Sequence, residues 1–453
     1  MVQKQRFICL FIFALATTFG MASSTVWAQE KSAEDASDAP ADDFIQADKA
    51  LIAPPSTGSS EAAAQAKAAF ETKFNEYKSA VRDIEKLQTD FQSADSPARE
   101  RINAELTGQI AHAQSLINSM VEAGMEAYRV APNADPKITD LLLGVARYYA
   151  IGRQIGPGEP AQSGHPEDVY YPIDGGDQYE QALPVIKVLV DGGANDSQLY
   201  VWGFLSSFAT NEYELATQWL EKAQESGALE ALATAAAKPD GQDQQAGLMK
   251  QVLHQLSASA TVLDEYGELW AKESALRAVE AEADNLPRVK FTTTKGEITI
   301  ELFENEAPQS VANFITLVKQ GFFDGSPFHR VLPKFMAQGG AKEEDGTGGP
   351  GYTIRCECYR PDHRRHFRGT LSMAHAGRDT GSSQFFLTFV PTPHLNGRHT
   401  AFGRVIEGIE VLADLQRRSP QHQSRPPKAD RILKAEVLRD RGHEYTFEKL
   451  ADR

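Results

Sequence analysis

The stretch SPFHRVLPKFMAQGG, residues 326–340, sets Arg330 among Phe328, Val331, Leu332, Phe335 and Met336. Its apolar content reads as two short buried strands broken at Pro333, a residue that cannot donate to a strand ladder. A guanidinium keeps its proton in a protein, so a cation lodged in such a stretch calls for a partner or a task. On either side the texture is that of many short strands. Residues 289–294 and 297–302 flank Lys295-Gly296, with Ile298, Ile300 and Leu302 alternating, which predicts a hairpin. Pro308 opens a helical run over 311–319 that Gly321 closes. Short apolar runs at 328–332, 335–338, 370–373, 384–389, 399–404 and 432–438 follow, punctuated by Gly, Pro and Asn. Together they predict a closed antiparallel β-barrel with two capping helices over residues 288–440, and a C-terminal tail at 441–453.

The other two thirds of the chain differ in kind. The formal charge is -16, yet residues 288–453 carry about 25 Lys and Arg against 20 Asp and Glu, so the negative excess belongs to the N-terminal part. A chain of 453 residues with such an asymmetry reads as two modules. The acidic balance repels phosphates and excludes nucleic acid as an expected partner. Lys4 and Arg6, an apolar run over 7–20 and Val26-Trp27-Ala28 follow the pattern of an export signal spanning 1–28, removed before Gln29. The apolar run is short for a membrane anchor, so no stable span is expected in the mature chain. Export implies a periplasmic or extracellular location and an oxidising one. Residues 29–60, rich in Ala, Asp, Ser and Pro, read as a disordered acidic linker.

Residues 61–285 read as an all-α region. Phe70, Phe74, Tyr77, Val81, Ile84 and Phe91 recur at alternating steps of four and three with only the Gln88 position missing, and Ile102, Leu106, Ile110, Ala113, Ile117 and Met120 form a second seam. Between them Ser96-Pro97 supplies an N-cap and a first-turn proline, so 61–128 is expected as a helical hairpin. Further on, Tyr179-Glu180-Gln181-Ala182 returns as Tyr213-Glu214-Leu215-Ala216, 34 residues later, and Gly193 returns as Gly227. That period resembles tetratricopeptide repeats over about 136–230, with a Gly/Pro-rich insertion at 152–177. The resemblance implies a groove for a protein partner; a generic helical bundle is the alternative. The Ala- and Gln-rich residues 230–285 continue as helix to Pro287.

In the C-terminal module, SPFHRVLPKFMAQGG, GTGGPGYTI, GTLSMAHAG, GSSQFFLTF and LNGRHTAFGRVIEGIEVL follow one another in an order that resembles the cyclophilins, peptidyl-prolyl cis-trans isomerases built on an eight-stranded barrel. The resemblance implies catalysis of X-Pro isomerisation without metal or cofactor. It implies that Arg330 donates to the prolyl nitrogen and that Phe335, Met336, Phe386 and Leu395 line a proline pocket. Gln338, Gln384 and the backbone of Ala374, His375 and Ala376 would hold the substrate chain, and His399 with Phe402 would complete the wall. Many cyclophilins carry a tryptophan that contacts cyclosporin where this chain has His394 in PTPHLNG, so weak or no cyclosporin binding is expected. His375 stands where MANAG has asparagine.

Other patterns compete for attention. DTGSS, residues 379–383, matches the aspartic-protease loop in letters, but those enzymes need a second aspartate loop and this chain supplies none. CECYRPDHRRH offers Cys356, Cys358, His363 and His366, all zinc-ligand types, at a spacing outside the common zinc patterns. The reading taken is therefore a surface loop with partly buried thiols and no metal, with zinc as the alternative. Arg355, Arg360, Arg364, Arg365 and Arg368 make this loop basic, able to attract acidic clients or the chain's own acidic part. The functional reading is an isomerase assisting the folding of exported proteins. Its alternatives are a proline-segment-binding chaperone or scaffold that docks partners through the helices, and an envelope protein held by those helices.

Overall fold

The computed structural model describes residues 60–156, 158–160, 169–170, 172–239, 245–423 and 425–451. The expected export signal and, as far as residue 59, the expected linker lie outside the described residues. The chain divides into two compact units, one running to Gly144 and taking in Val188–Ala194, the other joining Val145–Lys187 to the chain from Asn195 onward.

The first unit is built on a helical hairpin, α1 (Ser60–Ser93) and α2 (Ser96–Val130). Phe70, Phe74, Tyr77, Val81 and Ile84 of α1 and Leu106, Ile110, Ala113, Ile117 and Met120 of α2 are buried, as their spacing predicts. The cap of α2 lies one residue earlier than the expected Ser96. Asp95 accepts the Ala98 N–H at 3.0 Å, with Pro97 in the first turn. A carboxylate suits that end of a helix better than a hydroxyl, because the unpaired N–H groups there carry partial positive charge.

Downstream come α3 (Pro136–Ile151), α4 (Tyr179–Asp191), α5 (Gln198–Ala209), α6 (Tyr213–Glu225), α7 (Ala228–Ala236), α8 (Ala246–Thr261) and α9 (Leu263–Ala283). The 34-residue echo is visible in local geometry. Asp177 and Asn211 both hold φ at 65°, and each side chain accepts the hydroxyl of the tyrosine two residues on, Tyr179 at 3.1 Å and Tyr213 at 3.0 Å. Gly193 and Gly227 follow at φ 72° and 73°. The insertion between α3 and α4 opens and closes as a ladder of β1 (Arg153–Gln154) on β4 (Ile173–Asp174); β2 (Glu159–Pro160) and β3 (Val169–Tyr170) pair between them in sequence. The stretch expected as continuous helix over 230–285 is instead divided into α7, α8 and α9, and α9 stops at Asp284, φ 39°, ahead of Pro287.

Helix α9 carries Leu263, Tyr266, Trp270, Glu273, Arg277 and Glu280 at the alternating three- and four-residue steps of a packing seam. Glu273 and Glu280 are buried there. The basic loop meets them: the Arg364 guanidinium lies between both carboxylates, 2.7 Å from Glu273 Oε1 and within bonding distance of Glu280, over the Phe303 ring at 3.8 Å. Arg404 pairs with Glu280 at 2.8 Å and with Glu301 at 2.6 Å.

The C-terminal sheet comprises β5 (Arg288–Thr293), β6 (Glu297–Leu302), β7 (Arg330–Leu332) and β8 (Met336–Gly339), then, after β9 (Tyr352–Thr353), β10 (Thr370–Met373), β11 (Phe385–Thr388), β12 (Ala401–Glu407) and β13 (Ile432–Arg439). The order is β13-β5-β6-β12-β10-β11-β8-β7, antiparallel throughout. The two edges meet through the segment preceding β7: Phe328 N–H donates to Asp430 O at 2.8 Å and Ile432 N–H to Ser326 O at 2.9 Å. Closure therefore rests on a short bridge rather than a full ladder. Helices α10 (Pro308–Lys319) and α11 (Ile409–Asp414) accompany the sheet. Phe291, Phe314, Phe323, Phe385 and Phe402 fill the interior, buried side by side. The segment expected as a tail returns to the barrel, where β14 (Leu450–Ala451) pairs with β9. Among the described residues no helix is long and apolar enough to cross a membrane.

Candidate active site

Strand register assembles the site. Arg330 on β7 lies opposite Gln338 on β8, Gln338 opposite Phe386 on β11, and Phe386 opposite Ser372 on β10. Because side chains alternate across a sheet, this row shares one face while Ala337, Phe385 and Leu387 turn into the core. Arg330 Nη1 stands 3.5 Å from Gln338 Oε1 and 4.0 Å from Met336 Sδ, with the guanidinium 5.9 Å from the Phe335 ring centroid. Gln338 donates to Gln384 at 2.9 Å, and Gln384 donates to Gly346 O at 2.9 Å, so the amides point in fixed directions.

A cavity of about 420 Å³ opens beside this row. Arg330, Phe335, Met336, Gln338, Ala374, His375, Ala376, Gln384, Phe386, Leu395 and His399 line it, all singled out in the sequence; Thr380 and Ser382 line it too and were missed. Both sit in the loop that the protease-like letters obscured, where Asp379 accepts the Cys356 N–H at 2.8 Å instead of facing a second carboxylate. His394 stands at the edge, in the 3₁₀ turn Pro393–Leu395, its ring 5.5 Å from Phe335. Phe402 is a correction. It is fully buried, its ring 5.3 Å from Phe314, because β12 turns that position into the barrel interior and away from the cavity.

Two histidines, His375 and His399, belong to the cavity wall, and a third, His366, is buried beneath it. His399 Nδ1 lies 2.9 Å from Met373 O, and its ring meets Phe386 edge-on at 5.5 Å. His375 stacks on His399 at 4.1 Å and reaches Arg398 O at 2.8 Å. Behind Phe386, His366 stacks at 6.0 Å, held between Asn396 Oδ1 at 3.0 Å and Ser372 Oγ at 2.9 Å. His363 faces Arg360 O at 2.7 Å, so the two histidines of the basic loop do not converge with the cysteines. Burial pushes the Cys356 thiol up and that of Cys358 to about 11, which keeps both protonated.

Burial lowers His366 to about 3, far below the ordinary histidine value. The neutral ring is part of the native state, whereas the unfolded chain takes up a proton near pH 6.5. The contribution is thus complete above pH 6.5 and declines as pH falls toward 3. Urea unfolding at pH 7 and pH 5 is expected to show lower stability at pH 5, and His366→Gln should flatten that difference. An unchanged slope would remove His366 as its source.

The site therefore presents an apolar hollow, a guanidinium at its lip and a line of amides along one side. Residues 288–437 match the family model described as cyclophilin type peptidyl-prolyl cis-trans isomerase/CLD. A peptidyl-prolyl cis-trans isomerase of Helicobacter pylori (strain ATCC 700392 / 26695) is 50% identical over 143 residues, covering 30% of this chain and 86% of that protein. Peptidyl-prolyl cis-trans isomerase B of Bacillus subtilis (strain 168) is 56% identical over 119 residues, covering 26% of this chain and 82% of that protein. A crystal structure of a Cryptosporidium parvum cyclophilin type peptidyl-prolyl cis-trans isomerase aligns at 30% identity and a TM-score of 0.31, over 34% of this chain and 99% of that one. Through its C-terminal barrel the chain belongs to the cyclophilin-type peptidyl-prolyl cis-trans isomerases.

Proposed function

We propose that the protein is exported and accelerates cis/trans interconversion of X-Pro bonds while exported proteins fold, with Arg330 as the donor to the prolyl nitrogen. The observation that carries the mechanism is the placement of Arg330 over an apolar cavity of about 420 Å³. Rotation about an X-Pro bond is slow because amide resonance must be given up, and as the bond twists the lone pair localises on nitrogen. A donor aimed at that lone pair is favoured more in the twisted state than in either planar one, so it lowers the barrier. Phe335, Met336, Phe386 and Leu395 hold the prolyl ring, while Gln338, Gln384 and the backbone at 374–376 hold the preceding chain. No bond is made or broken. Export is supported by the charge and apolar pattern of residues 1–28. The helices with the 34-residue echo are read as a docking region for a protein partner, and His394 in place of the family's tryptophan as the reason for weak cyclosporin binding.

The test is refolding of an exported protein whose slow phase is set by a prolyl bond. At substoichiometric amounts the chain should accelerate that phase, and in producing cells it should be recovered outside the cytoplasm beginning at Gln29. Acceleration only at equimolar amounts would favour capture of proline segments without turnover. Cytoplasmic recovery with Met1 retained would remove the export half. A submicromolar cyclosporin inhibition constant would overturn the reading of His394.

A further inference from the structure

We infer that Asp177, outside the barrel and 157 residues before its contact, is a positioning residue for the isomerase site: its carboxylate fixes the β7–β8 turn that carries Phe335 into the proline pocket. The inference rests on the assignment of Phe335 to that pocket.

Residues 145–187 and the barrel belong to one compact unit. The turn needs an external hold. Between Leu332 and Met336, which pair as the last rung, only residues 333–335 reverse the chain, and Lys334 takes φ 59° to do so. A lysine in the left-handed region is strained and persists where surrounding contacts fix it. Those contacts come from outside the hairpin. The Lys334 N–H donates to both carboxylate oxygens of Asp177, at 3.0 and 3.1 Å, and its Nζ donates to Ile151 O, at the end of α3, at 3.0 Å. The next residue, Phe335, accepts the Phe389 N–H at 2.9 Å. Phe389 O in turn accepts from Arg368, whose Nη2 returns to Asp177 O at 2.8 Å. The backbone on both sides of the Lys334–Phe335 peptide is thus closed into a ring of hydrogen bonds through Asp177 and Arg368.

The chain contains its own control for what the negative charge does. Asn211 occupies the equivalent point 34 residues later, with the same φ and the same acceptance of a tyrosine hydroxyl. The helical turn itself therefore requires only a short side chain with one oxygen. The second carboxylate oxygen of Asp177 is used elsewhere, on the Lys334 N–H and on Arg417 Nη2 at 2.9 Å. Asp177 is fully buried, so its charge is expended on these donors and not on solvent.

Asp177→Asn in the full chain should keep the turn and the Tyr179 bond, as Asn211 does, while weakening the hold on Lys334. The expected result with a short X-Pro peptide is a KM raised about ten-fold with kcat changed less than about two-fold, because misplacing a positioning wall costs binding of the ring first. Amide exchange across residues 333–336 should quicken in the same variant. Arg417→Met removes the other partner of the carboxylate and lowers stability, but leaves the Lys334 contact and therefore KM. Phe335→Ala should raise KM at least as much as Asp177→Asn. A normal KM in Asp177→Asn beside a raised one in Phe335→Ala overturns the inference and spares the pocket assignment. A normal KM in both overturns the assignment, and the inference with it. An equal rise in Arg417→Met shows general loosening and also overturns the inference.

Discussion

Arg330→Ala should lower kcat/KM for X-Pro peptides by about 10²–10³-fold, the usual loss when a single donor to a developing charge is removed. The barrier being attacked is about 18–20 kcal/mol, so a donor contributing a few kcal/mol in the twisted state is a sizeable part of what an isomerase needs. Arg330 lies in a cross-strand pair with Gln338 and over the Phe335 edge of the cavity, and truncation leaves strand, cavity floor and amides in place. Binding of a proline peptide should therefore change far less than turnover. Arg330→Lys keeps the charge but loses the planar fork, and should recover only part of the rate. The coupled peptide assay with isotherms for both variants measures this. Activity within about three-fold of wild type in Arg330→Ala would remove the guanidinium from the mechanism.

Arg364→Met should cost about 2–3 kcal/mol of unfolding free energy, read from urea titration of the full chain, because it removes the buried cation shared by Glu273 and Glu280 and leaves each with one partner, Arg277 at 2.8 Å and Arg404 at 2.8 Å. Both carboxylates are about 6–7% exposed, and the arginine between them is 3% exposed. Burial drives Glu273 up, but the hydrogen bonds and charges of Arg364 first and Arg277 second outweigh it, and the carboxyl lies below its ordinary value. Stability from this pair is therefore complete above the ordinary carboxylate range and is lost as pH falls through the lowered value. The variant should lose that acid sensitivity along with its stability. Arg364→Lys keeps a cation between the two carboxylates and should recover part of the loss, since much of the penalty lies in under-compensated buried charge. A loss below about 1 kcal/mol in Arg364→Met would show that water reaches the carboxylates.

The barrel was legible in short runs of alternating apolar residues and the turns between them, whereas the site residues were marked by the likeness of the linked motifs to the cyclophilins. Arg330, Gln338 and Phe386 share a face because of strand register, which pairs strands distant in the chain and is set by the folded sheet. Phe402 was misread because pocket and core aromatics look alike in letters; only the direction of β12 separates them. Thr380 and Ser382 were overlooked because small polar residues in a glycine-bearing loop carry no periodic signal. Seam α9 was harder still. Its positions follow a packing pattern, yet Glu273, Arg277 and Glu280 occupy it, and no hydrophobic stripe marks them.

The sequence by itself determined the helical hairpin and the strands, since each depends on neighbours a few residues apart or on a fixed period, and its likeness to the cyclophilins marked Arg330 and the residues around it. Tertiary structure alone decided which charges are buried and against what. Arg364 meets Glu273 from 91 residues away, and Asp177 meets the Lys334 turn from 157. A buried ion is tolerable only beside its counter-charge, and that neighbour is supplied by the path of the chain through space, which no local pattern records.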